Sequence, residues 1–274
     1  MRHDLQYQQQ TANVPRILLN SYTDGNIEGE AFVTDHIFSY IISGKHEVWL
    51  SGIKYTFGEG DFRFFRSNQL ARYVKSPVSG VFRSVAVHMD QYTLRAMSEQ
   101  YGLKKDQTNT SEVPLLIHPD NLLRGYVDSL QAYLHLPQPD QRLITLKTQE
   151  LVLLLIKNDT RFKNILFDFS EPGKLDLEAF MNRHYRYNVS MERFAFLTGR
   201  SLSGFKRDFE KIYHTTPGKW LVQKRLQEAK WRIEDKKEKP ANLYLDLGFE
   251  DLSHFSHAYK KAFRYAPNRK INIK

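Results

Sequence analysis

The sequence predicts an α+β multidomain protein: an N-terminal antiparallel β-barrel of the jelly-roll class, a helical hairpin, and a C-terminal all-α domain with two helix-turn-helix units. Three observations lead there. Short runs rich in aromatic and β-branched residues, at 38–42, 48–50, 55–57, 62–65 and 81–87, are separated by turn formers at Gly44, Ser51-Gly52, 58–61 and 77–80. Many short strands at regular spacing close into barrels or jelly rolls. From Asp90 onward the apolar period changes from strand-like to helical. Within the last hundred or so residues, finally, the chain repeats itself at an offset of 50.

Composition bounds the rest. The 274 residues are 41% hydrophobic and 26% charged, enough length for two ordinary domains and the balance of a globular chain. The longest apolar run, 151–156, is too short to cross a bilayer, so no membrane association is expected. MRHDLQYQQQ lacks the apolar core of a secretory signal and cysteine is absent, which makes the cytoplasm the expected location. The net charge of +9 is segregated: residues 175–274 hold 21 Lys and Arg against 12 Asp and Glu, and the preceding residues hold 19 of each. A neutral domain joined to a basic one points to a polyanion partner for the second only.

In chain order, residues 1–15 are polar and Gln-rich and read as a flexible tail. After the strands, Asp90 is placed to cap a helix in which Leu94, Met97 and Tyr101 share a face and which Gly102 ends. Residues 104–112 read as loop. Asp120 opens a second helix, with Leu123, Tyr126, Leu130 and Leu134 in line and Pro137 as its stop; Asp140 opens a third, with Leu143, Lys147, Glu150 and the run 151–156. Such a pair packs as an antiparallel hairpin whose remaining apolar stripe either covers the barrel or makes a symmetric dimer contact. The expected divisions are 1–112, barrel with one helix; 113–160, hairpin and dimerisation; 161–174, linker around Pro172-Gly173; and 175–274, the double helix-turn-helix domain. There Leu177, Phe180, Met181 and His184 mark an apolar face, and Ser190 caps the first helix of the first unit. Pro217 opens a long connecting helix with Trp220, Leu221, Leu226, Ala229 and Ile233 inward.

The repeat sets LTGRSLSGFKRDFEKIYHTTP (197–217) over DLGFEDLSHFSHAYKKAFRYAP (246–267). Ser203 pairs with Ser253, Phe205 with Phe255, Arg207 with His257, Phe209 with Tyr259 and Pro217 with Pro267, while Gly199 and Gly248 differ by one step inside the turn. Phe205 and Phe209 form one stripe of a helix, which leaves Ser203, Gly204, Lys206 and Arg207 on the other side. Phe255 and Tyr259 do the same for Ser253, His254, Ser256 and His257. A small, polar, basic outer face on the helix after a glycine turn suits the major groove. For Ser203 and Ser253 two roles stand open, helix cap and base contact.

These residues, with RLQEAKWRI at 225–233, resemble the DNA-binding domain of AraC/XylS-family transcription regulators. GKHEVWLSGIKYTFGEGDFRFF at 44–65, with Gly58, Gly60 and Asp61, is similar to the cupin-like barrels many such regulators carry. The resemblance implies double-stranded promoter or operator DNA as partner, RNA polymerase as a further one, a homodimer, and a small-molecule or protein effector that the sequence does not identify; an activator is the expectation, although the sequence itself does not separate activation from repression. It also implies two recognition helices held about one duplex turn, ~34 Å, apart. The chain departs from the family where a glycine before each closing proline is His214 and Arg264, where a small residue before the second turn is Tyr244, and where a recognition arginine is His257. Tyr244 should widen helix packing in the second unit.

No catalytic residues or cofactors are expected. His36, His46 and His88 are not spaced as a ligand set, so no metal site is expected and the histidines read as surface or packing residues. The competing class is a cupin-like enzyme or ligand-binding protein with a nonspecific basic tail, distinguished by whether binding survives excess random DNA. RNA binding has little support, because the aromatics are not arranged as a stacking platform on strands.

Overall fold

In the computed structural model, residues 14–23, 25–50, 52–106, 115–134 and 140–268 are described, and the chain divides into two units, Met1–Ser170 and Glu171–Lys274. The expected tail up to residue 13, the loop at 107–112 and the stop at Pro137 lie outside the described residues.

Among the described residues, nine strands of the first unit pair in two antiparallel sheets. One contains β1 (Arg16–Tyr22), β3 (His36–Ser43), β6 (Phe62–Phe65), β8 (Phe82–Met89) and β9 (Leu115–Ile117), in the order β1-β8-β3-β6-β9. The other contains β2 (Ile27–Val33), β4 (Lys45–Leu50), β5 (Ile53–Phe57) and β7 (Gln69–Ser76), in the order β2-β7-β4-β5. The expected barrel is thus a two-sheet arrangement of the jelly-roll kind.

Strand alternation divides the interior. Phe38, Phe62, Phe64, Val85 and Val87 join the main core, which the helices α1 (Gln91–Tyr101), α2 (Asn121–Leu134), α3 (Gln141–Asn158) and α4 (Arg161–Leu166) complete. The alternate residues Ile41 and Phe65 pack with Val33, Val48 and Phe57 of the second sheet. Helix starts follow the sequence: the side chains of Asp90, Asp120 and Asp140 accept from the amides of Thr93, Leu123 and Arg142. Burial departs from it in α3, whose inward residues are Ile144, Thr148, Leu151, Val152 and Leu155, while Leu143 faces solvent. Tyr101 is likewise exposed, and Leu94 and Met97 carry the buried helix face together with Thr93.

The stretch expected to link the domains, 161–174, begins as structure of the first unit. Phe162, Ile165 and Leu166 lie at helical spacing and are buried, with Phe162 edge-on to Phe64 at 5.0 Å. An amphipathic turn of that kind cannot remain in solvent at low cost.

The second unit consists of α5 (Leu177–His184), α6 (Met191–Leu197), α7 (Leu202–Tyr213), α8 (Pro217–Glu234), α9 (Pro240–Leu243) and α10 (Leu252–Phe263). Ser190 caps α6 and Pro217 starts α8, as the sequence indicates. Both turns require glycine. Gly199 has φ +64°, and a Cβ there would lie 2.5 Å from the Gly173 backbone; Gly248 has φ +76°, and a Cβ would lie 2.2 Å from the Arg186 carbonyl oxygen. His214 and Arg264 end the two recognition helices in the left-handed region, at φ 52° and 69°, the conformation that glycine adopts most easily. α9 stops at Leu243, and Tyr244 directly after it packs half-buried against the cluster of Leu226, Leu243, Leu247 and Phe255, while α6 runs over seven residues with Ala195 buried.

Candidate nucleic-acid interface

Each recognition helix is anchored by a buried stripe and an N-terminal cap. Phe205 and Phe209 of α7, and Phe255 and Tyr259 of α10, are fully buried. The caps are Ser201, whose Oγ accepts from the Gly204 amide at 3.2 Å, and Asp251, whose Oδ1 accepts from the His254 amide at 2.6 Å. This settles one open role: Ser203 and Ser253 stand two residues inside their helices and do not cap them.

With both stripes turned inward, Ser203, Lys206 and Arg207 are exposed along one face of α7, and Gly204 is half-buried over the cap. Arg207 is 71% exposed and meets Asp208 at 3.7 Å. Asp208 is engaged more closely by Arg200 at 3.1 Å, so the Arg207 guanidinium is held loosely and keeps its fork of donors for a ligand. On α10, Ser253, His254 and His257 are exposed and Ser256 is half-buried. The His254 ring also packs edge-on to Phe249, with centroids 5.8 Å apart, which ties it to the turn. All eight sequence-predicted residues therefore lie on the two recognition helices.

Lys260 and Lys261 were not among them. Lys260 is exposed, follows Ser253, Ser256 and His257 at helical spacing, and stands where α7 has Glu210. Its i+7 spacing from Ser253 was readable in the sequence. The two turns also differ: Arg200 and Ser201 precede α7, whereas Glu250 and Asp251, both exposed, precede α10.

Arg225 on the connecting helix joins the parts. Its buried guanidinium donates to the carbonyls of Tyr185 (2.8 Å), Tyr187 (2.9 Å) and Gly248 (2.7 Å), linking the segment after α5 to the second turn. Three charge-assisted bonds to backbone acceptors fix a geometry more firmly than side-chain packing alone.

Comparison with known proteins now bears on this geometry. Residues 36–166 match the ExsA N-terminal regulatory domain, and residues 194–271 match a helix-turn-helix domain. The chain belongs to the AraC family of transcription regulators. Among the relatives of this AraC-family chain, the thermoregulatory protein LcrF of Yersinia pestis is 24% identical, with 84% of this chain and 86% of LcrF covered. The transcriptional regulator ExsA of Pseudomonas aeruginosa is 23% identical, covering 77% and 76%. Of solved structures, an apo form of a ToxT variant from Vibrio cholerae aligns over 92% of this chain and 95% of its own at 12% identity, with a TM-score of 0.46. As an AraC-family regulator the chain is a DNA-binding transcription factor. Among the described residues no helix is long and apolar enough to cross a membrane, and no group of three or more His, Asp or Glu is disposed to hold a metal.

Proposed function

We propose that the chain is a cytoplasmic transcription activator that reads duplex DNA with both recognition helices, as a homodimer, under control of its N-terminal unit, and that its role is regulatory rather than catalytic. The observation that carries the reading is the pairing of two capped helices, each with an apolar stripe buried and a polar, basic face exposed, in the unit that holds the entire net charge. Ser203, Lys206 and Arg207, with Ser253, His254, Ser256 and His257, make the base and phosphate contacts; Gly204 allows close approach at the start of α7. RNA polymerase is the second macromolecular partner, as activators of this family are named for raising transcription.

Dimerisation through the hairpin is supported by an unpartnered stripe on α3. Leu143, Leu146 and Leu153 are exposed at i, i+3 and i+10, the spacing of a helix-to-helix seam. Selection of bound genomic fragments by the full chain, followed by titration against excess random DNA, tests the function. A defined site that survives the competitor is expected; binding that disappears with it and falls only with salt would leave a nonspecific basic tail.

A further inference from the structure

Of the cations that line the space between the two sheets of the first unit, Arg16 pairs with Asp35, whereas Arg63 and Lys75 have no paired counter-charge. Arg63, on β6, alternates with Phe62 and Phe64, so its side chain enters the inter-sheet space while theirs enter the helical core. Arg63 is 2% exposed, and Lys75, from the opposite sheet, is 9% exposed. Both line a cavity of about 110 Å³ whose remaining wall includes Val48, Phe65 and Tyr73. No carboxylate pairs with either cation among the described residues. Asp61 acts on Arg63 only from a distance, its carboxylate accepting from the Gly58 amide.

What they do contact is neutral. Arg63 donates to Ser39 Oγ at 2.7 Å and to His46 Nδ1, and lies over the rings of Phe57 and Phe65. Lys75 faces the rings of Tyr73, Tyr22 and Phe82. Because an arginine only donates, His46 must accept through Nδ1 and carry its proton on Nε2. That Nε2 is buried with no partner, as is Nε of Arg63. Burial, and for Lys75 the neighbouring Arg63 charge, lowers Arg63 to about 9 and Lys75 to about 8, so both remain charged at neutral pH. Two buried like charges and two unused N–H donors are costly when empty and are all satisfied by one group: an acceptor-bearing anion.

We propose that the inter-sheet cavity binds a small organic monoanion with an apolar body, its carboxylate or equivalent held by Arg63, Lys75 and His46 Nε2–H. The aromatic and aliphatic wall takes the body, and a cavity of this size accommodates a molecule about as large as benzene. The inference deepens the proposal that the N-terminal unit receives an effector, by naming the chemical class of that effector.

Calorimetric and thermal-shift titration of the full chain with butyrate and benzoate tests it, with butyramide and benzamide as neutral counterparts. At least one carboxylate is expected to raise the melting temperature and to bind at least 10-fold more tightly than its amide. Lys75→Met and Arg63→Met should each weaken that binding 10-fold or more, while the empty Lys75→Met protein melts no lower than the native one, since a buried unpaired charge has been removed. If Arg63→Met does not fold, Lys75→Met decides alone. Absence of a carboxylate effect at 10 mM, equal binding of acid and amide, or unaltered binding by Lys75→Met would overturn the proposal. Carboxylate binding that leaves operator affinity unchanged would overturn effector control and leave the site standing; operator binding with no carboxylate effect would do the reverse.

Discussion

The two helix-turn-helix units share an interior and differ in what they present. Phe205 and Phe255, Phe209 and Tyr259, and Pro217 and Pro267 are all buried at the same offset. Outside, Ser201 is matched by Asp251, Lys206 by Ser256, Arg207 by His257 and Glu210 by Lys260. Packing leaves little freedom to a domain of this size, whereas the outer face is free to change with the DNA it meets. The first unit places Lys206 and Arg207 in the first half of its helix, with Lys211 near the end; the second places a carboxylate at the helix start and has only Lys260 and Lys261, near the end. Base edges are met chiefly by the N-terminal part of a recognition helix, so the first unit is expected to lead.

The shared interior is the easiest part of this comparison to break. Phe205→Ala and Phe255→Ala should each cost about 3–5 kcal/mol, read as a lowered melting transition of the second unit. A loss confined to one of them would mean that the two cores are not equivalent.

Acid provides the next largest effect. Burial and the neighbouring Arg183 hold His184 down at about 4. Between about 6.5 and that value the unfolded chain binds a proton that the folded one does not, so stability is lost as pH falls through the window, by up to about 3 kcal/mol. Melting compared at pH 7.5 and pH 5 should show a smaller loss for His184→Leu than for the native chain. An unchanged loss would place the acid sensitivity elsewhere.

The outer faces are separated by substitution at matching positions. Arg207→Ala should cost about 1–3 kcal/mol of specific affinity at pH 7.5, and His257→Ala less. Equal losses would remove the asymmetry. Asp251→Ser gives the smallest change. Serine keeps the cap while a negative charge that would repel phosphate leaves the helix N-terminus, so affinity should rise, at a cost to helix stability of roughly 0.3–1 kcal/mol. Weaker binding by this variant would show that Asp251 supports the contact instead of opposing it.

Much of this was legible in the sequence because it is local. Caps at Asp90, Asp120, Asp140 and Ser190, the Phe205/Phe209 stripe and Pro217 depend on neighbours within one or two turns. The strands β1 and β7 were not legible, since Asn20 and Lys75 interrupt their apolar alternation and point into the inter-sheet space. His36, His46 and His88 looked isolated for the same reason: their burial comes from strands distant in the chain, as when Arg63 meets His46 across 17 positions. The cap of α7 was missed by two residues because SLS offers two serines, and only the backbone path shows that the Ser201 oxygen reaches the Gly204 amide.

In the proposed reading, Arg225 gives α10, the helix expected to read less strongly, its value. By holding three carbonyls on both sides of the connecting helix it removes much of the orientational freedom between the units. Once α7 has engaged, α10 meets its own stretch of DNA at an effective concentration set by geometry instead of by the protein in solution, and a contact too weak to hold alone then adds to the whole. The same rigidity works against binding where the spacing is wrong, so the distance between two subsites is itself part of what the domain recognises.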